Sequence, residues 1–136
     1  MIAPVTALYG ALLALLLLVL AGRVSLARSR LGIGIGHGND PGLARAVRAH
    51  GNAVEWTLPM LILMLVSEVD GASRLFLHTC GVIFVIARVA HAAGVSRTSK
   101  GSSPRFWGMA GTWLVMVALA VWDLVAFLRV GLRFAF

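Results

Sequence analysis

Four apolar runs, each close to the length a helix needs to cross a bilayer, fill most of this 136-residue chain. The clearest, Val5 to Gly22, is rich in leucine and carries no charge. At 1.5 Å per residue, about 20 residues cross a hydrocarbon core of roughly 30 Å. Three more follow, at about Arg48 to Ser67, Leu75 to Ala93 and Gly108 to Leu128. Backbone amides in lipid must be satisfied within the segment, so runs of this length are helices. The short turn Glu68-Val69-Asp70-Gly71 makes the second and third an antiparallel hairpin. The expected fold is an all-α membrane protein, a bundle of four transmembrane helices forming one domain over residues 1–136.

The composition excludes a water-soluble alternative. With 60% apolar and 12% charged residues and a mean hydropathy of +0.92, the chain lacks the polar surface to face water. A small soluble domain leaves roughly a third of its unfolded-chain surface exposed. No basic segment precedes the first run, so it is read as a retained helix and not a cleaved signal. Cys80 is the only cysteine, which excludes an intrachain disulfide and a thiolate cluster. The four histidines form no i, i+4 pair and no H-E-x-x-H, so no dedicated metal site is expected.

The net charge of +7 and pI near 11.6 suit nucleic acid in number but not in arrangement. The cations gather at helix ends and do not interleave with aromatics. Arg23, Arg28, Arg30, Arg45 and Arg48 flank the first connection, and Arg97, Lys100 and Arg105 the third, against Arg74 alone at the second. The positive-inside bias then places the first and third loops in the cytoplasm and both termini outside, with Arg129 and Arg133 pulling the other way. The glycine-rich first loop, Gly32 to Gly38, misses the G-x-G-x-x-G spacing and reads as a flexible connector.

Charged residues inside the runs need another explanation. Arg48, Asn52 and Glu55 are four and three residues apart, within about 60° of arc on a helix. Ionisable groups in hydrocarbon cost a few kcal/mol each, so they face a bundle interior or a wet cavity. If the hairpin turns near residues 70 and 71, residues whose numbers sum to about 141 lie at equal depth. Arg88 then falls within a turn of Glu55 and Asn52, and His91 lies level with His50. Two readings follow: a structural Glu55–Arg88 ion pair that locks the hairpin, or a site for a ligand carrying both carboxylates and an ammonium. Asp123 and Glu68, toward the opposite end, are expected to pair with Arg74 or Arg129. His78 near them and Trp56, Trp107, Trp113 and Trp122 read as structural or interfacial residues.

The residues that carry this site also carry a resemblance. Asp40-Pro41 through Arg45, Arg48-Ala49-His50-Gly51-Asn52-Ala53-Val54-Glu55, Pro59 and Arg88-Val89-Ala90-His91 resemble the MAPEG superfamily, the membrane-associated proteins in eicosanoid and glutathione metabolism. With the Glu68-Val69-Asp70-Gly71-Ala72 turn, the resemblance extends over nearly the whole chain and points to the bacterial inner-membrane branch. It implies a homotrimer with glutathione bound between protomers at the cytoplasmic end. By resemblance, Arg48 holds a glutathione carboxylate, Asn52 a backbone polar group and Glu55 the γ-glutamyl ammonium, with Arg88 and His91 completing the binding set. Arg105 resembles the catalytic arginine that stabilises the thiolate. The implied activity is glutathione transfer or peroxidation on lipophilic electrophiles or lipid hydroperoxides that arrive from the bilayer.

Where active relatives carry tyrosine or serine around the thiol, this chain has Val95 and Phe106, and its one tyrosine, Tyr9, lies far off in the first helix. The alternative is therefore a non-catalytic lipid- or glutathione-binding membrane scaffold. A transporter has no inverted repeat or broken helix to support it.

Overall fold

The computed structural model describes residues 2–134, with side chains through Arg129, so the side chain of Arg133 lies outside the described residues. Four helices follow in order: α1 (Pro4–Leu31), α2 (Pro41–Val69), α3 (Arg74–Arg97) and α4 (Ser103–Phe134). All four are long and apolar enough to cross a membrane, and among the described residues there is no strand. They alternate in direction. Loops 32–40 and 98–102 share one end of the bundle, called here the loop end, and the 70–73 turn lies at the other, the turn end.

Each helix outruns its apolar stretch, because capping residues and not hydropathy decide where it stops. Asp40 starts α2 seven residues before Arg48: its carboxylate accepts the Leu43 N–H at 2.6 Å, and Pro41 takes the first turn, where no N–H is needed. Ser73 caps α3 through the Phe76 N–H. At the end of α1, Gly32 takes a left-handed conformation (φ 67°) and returns its N–H to the Arg28 carbonyl, a turn open to glycine because it has no Cβ.

The start of α1 is capped from another helix. The two Glu68 oxygens accept the N–H groups of Val5 and Thr6 at 2.8 and 2.7 Å. Asp123 accepts the Ser67 hydroxyl at 2.6 Å. This corrects the expectation that Glu68 and Asp123 pair with Arg74 or Arg129: Glu68 takes helix-start amides and Asp123 a hydroxyl through Oδ1, its Oδ2 being buried with no partner among the described residues. Among the described residues the one ion pair is Arg48–Glu55.

The central pair is α2 and α3. Both α1 and α4 pack on it, and among the described residues the α1 and α4 backbones do not approach each other closely. Leu13, Met60, Met64, Phe84, Val115 and Leu119 form the inner core. Two close approaches depend on missing side chains. A Cβ on Gly81 would enter the Tyr9 ring, whose hydroxyl sits 3.1 Å from both His78 Nδ1 and the His78 carbonyl. A Cβ on Gly108 would meet the Ala87 carbonyl at 2.6 Å and His91 N at 2.7 Å, so α3 and α4 touch backbone to backbone beside the polar residues. The outward residues of α1 and α4, Leu15, Leu18, Leu114 and Val117 among them, are exposed and apolar, as lipid-facing surface must be.

Candidate functional site

The close α3–α4 approach opens toward the loop end, where loop 98–102 folds back over Gly94. There a Cβ would meet the Arg105 amide nitrogen at 2.8 Å and the Ser102 hydroxyl at 3.0 Å. Between this loop, α2 and α3 lies a cavity of about 310 Å³. Arg48 and Asn52 line it from α2, His91 and Val95 from α3, Gly101 and Ser102 from the loop, and Arg105, Phe106 and Met109 from α4. A second hollow of about 350 Å³ shares Arg48, Val95 and Arg105 and extends it toward Arg45, Thr98 and Ser99.

Four of the six residues singled out in the sequence therefore meet in one wall: Arg48, Asn52, His91 and Arg105. The other two do not line it. Glu55 stands on the outer face of α2, its carboxylate 3.6 Å from the Arg48 guanidinium, with both side chains more than half exposed. Arg88 lies beneath the cavity, 1% exposed, with Nη1 donating to Asn52 Oδ1 at 3.0 Å and Nη2 to the Gly108 carbonyl at 3.2 Å. Its guanidinium also sits over the Phe84 ring, 5.8 Å from the centroid. A structural Glu55–Arg88 pair, one of the two readings of the sequence, is not formed: the pairs are Arg48–Glu55 and Arg88–Asn52. Depth was read correctly, since 52 and 88 sum to 140, but direction was not. The three-residue step from Asn52 to Glu55 turns the side chain about 60°, and the buried face of α2, set by Ala49, Ala53, Met60 and Met64, takes Asn52 and leaves Glu55 outside.

Hydrogen bonding makes the wall rich in donors. The donors are Arg48, Arg105 and Asn52, whereas His91 spends its Nδ1 proton on the Arg105 carbonyl, 3.0 Å away, which in the neutral ring leaves Nε2 an acceptor. Arg88 can only donate, so Asn52 turns its oxygen down to it and keeps its NH2 for the cavity. With the guanidinium groups of Arg48 and Arg105, the surface suits carboxylate, carbonyl or thiolate groups. The set fits part of a glutathione molecule: cations for its carboxylates and thiolate, and a carboxamide for its peptide backbone. At about 310 Å³ the cavity is at the small end of the 300–1,000 Å³ usual for small-molecule sites.

One candidate escaped the sequence reading. Ser102 lines the cavity, and its hydroxyl is buried with no partner among the described residues. Ser102-Ser103-Pro104 is a helix-start signal, but the start of the apolar run drew the boundary to Gly108. Arg23, toward the loop end of α1, donates to the Ser96 hydroxyl at 3.1 Å.

The model of the MAPEG family matches residues 6–125 of the chain. The chain is also similar to the inner membrane protein YecN of Escherichia coli strain K12, 33% identical over 132 residues that cover 92% of this chain and 99% of that protein. The same figures hold for YecN of Escherichia coli O6:H1.

Proposed function

The chain belongs to the MAPEG family, and on that premise we propose that it is a homotrimeric glutathione transferase or peroxidase of the bacterial inner membrane, acting on lipophilic electrophiles or lipid hydroperoxides. The observation that carries this reading is the convergence of Arg48, Asn52, His91 and Arg105 on one donor-rich cavity at the loop end.

Glutathione supplies the nucleophilic sulfur, and the protein's part is to hold it and keep it ionised. Arg48 receives a carboxylate, and the Asn52 NH2 donates to a peptide carbonyl. The Arg105 guanidinium, on the first turn of α4, stabilises a thiolate and so lowers the proton affinity of the thiol. Ser102, three residues before it, offers the hydroxyl that Val95 and Phe106 do not. Glu55 takes the ammonium at the protomer boundary, which requires a second copy against the outer face of α2. That face supports the trimer: Arg48 and Glu55 stand exposed among Val54, Leu58 and Ile62, an arrangement costly in lipid and satisfied by a polar neighbour. The lipophilic partner reaches the sulfur sideways, past the exposed rings of Phe106 and Trp107.

The test is a thiolate absorbance titration of purified protein with glutathione. The proposal expects saturable thiolate absorbance near neutral pH, lost in Arg105→Leu. Saturable binding without thiolate absorbance would instead favour a non-catalytic glutathione- or lipid-binding scaffold, the reading that Val95 and Phe106 support.

A further inference from the structure

Arg88 is the largest fully buried side chain among the described residues, and it is a cation. Such a group normally meets a carboxylate. Here its acceptors among the described residues are both neutral, the Asn52 carboxamide oxygen and the Gly108 carbonyl, and its Nε has no partner among them. The Gly108 carbonyl already accepts the Thr112 hydroxyl at 2.8 Å, so it is shared. Glu55, the nearest carboxylate along α2, is turned outward onto Arg48. Among the described residues Asn52 is therefore the one side chain that accepts a hydrogen bond from Arg88, and the same side chain forms part of the cavity wall.

A carboxamide is nearly symmetric in shape but opposite in chemistry at its two ends. A free asparagine at a site wall can turn either end to a ligand and so discriminates poorly between donors and acceptors. Arg88 removes that freedom: it has no lone pair to offer, and turning Nδ2 toward it would set donor against donor in a buried place. We propose that Arg88 is a positioning residue that locks the Asn52 carboxamide so that only its NH2 faces the cavity, making this wall select a hydrogen-bond acceptor, a peptide carbonyl or carboxylate, on the bound molecule. The proposal rests on the glutathione reading in taking glutathione as its probe. The lock itself is a property of the empty protein.

The decisive variant is Asn52→Asp, nearly identical in shape. It offers Arg88 a carboxylate, so the seat is kept or strengthened, but it presents an oxygen to the cavity in place of NH2. Melting temperature at or above wild type is expected, together with glutathione affinity at least tenfold weaker. A residue that served only to seat Arg88 would bind glutathione unchanged in this variant, and that result would overturn the donor assignment.

Asn52→Leu leaves Arg88 without its main acceptor and is expected to melt lower. Adding Arg88→Met should restore the melting temperature without restoring affinity. Because Arg88 acts through Asn52, Arg88→Met should weaken glutathione binding in the wild-type background and add no further loss in the Asn52→Leu background, a coupling that independent contacts would not give. Additive losses would overturn the positioning role. If wild-type protein gives no response to glutathione, the glutathione reading fails. The lock is then judged on melting alone, and an Asn52→Asp protein that melts as low as Asn52→Leu would overturn it.

Discussion

At residue scale, the polar stripe on α2 divides its labour by angle. Asn52 faces inward to Arg88 and the cavity, whereas Glu55, three residues on, faces outward to Arg48. A half-exposed ion pair contributes about 0–1 kcal/mol, so Glu55→Gln should leave the melting temperature of the ligand-free protein nearly unchanged. The same variant should lose most of the glutathione-dependent rise in melting temperature, which follows RT ln(1 + [L]/Kd) while the site survives. Thermal scans with and without glutathione check both, and a full glutathione response in Glu55→Gln would remove Glu55 from the site. The stripe was legible because charges in an apolar run are conspicuous. Its pairing was not, because partners at equal depth are separated only by rotation about the helix axis. Ser102 was hidden for a different reason: a serine in a short polar loop carries no signal until the loop folds over Gly94.

Helix ends and helix contacts are decided by single residues. Glu68 holds the first amides of α1 from the far end of α2, a tie between elements more than sixty residues apart in sequence. Its removal leaves two N–H groups without acceptors, and Glu68→Ala should cost about 1 kcal/mol, in the range of lost helix caps. Faster amide hydrogen exchange confined to the first turn of α1 is the expected signature. Gly81→Ala should act more strongly, because the added methyl occupies the space of the Tyr9 ring. Displacing that ring breaks its hydrogen bonds to His78 and opens the α1–α3 contact. Overpacking of this kind costs roughly 1–3 kcal/mol, read as a lower melting temperature and increased accessibility of Cys80, which is buried beside the same core.

For the whole molecule, the charge distribution and the uncovered face of α2 each carry a prediction. Arg23, Arg28, Arg30, Arg45, Arg48, Arg97, Lys100 and Arg105 all lie toward the loop end, with Arg74 and Arg129 toward the turn end. Reporter fusions at Gly34 and Ser99 should therefore report cytoplasmic, and one at Asp70 the opposite side. A cytoplasmic Asp70 turn would invert the membrane map. Light scattering of detergent-solubilised protein should give three protomers per particle, and a stable monomer would leave Glu55 with no ligand to share.

Hydropathy and cap residues by themselves determined the four helices, their alternation and the end of the bundle that holds the polar site, because lipid allows no other solution for uncharged runs of this length. Spacing along α2 and the hairpin rule also determined the depth at which Arg48, Asn52, Arg88 and His91 lie. Only the tertiary structure decided which groups meet. Rotation of each helix is set by the fit of apolar side chains and glycines such as Gly81, Gly94 and Gly108. That packing turned Asn52 toward Arg88, left Glu55 on the surface and drew Ser102 into the wall. A periodic pattern defines a face, but which neighbour fills that face depends on contacts made by residues distant in the chain.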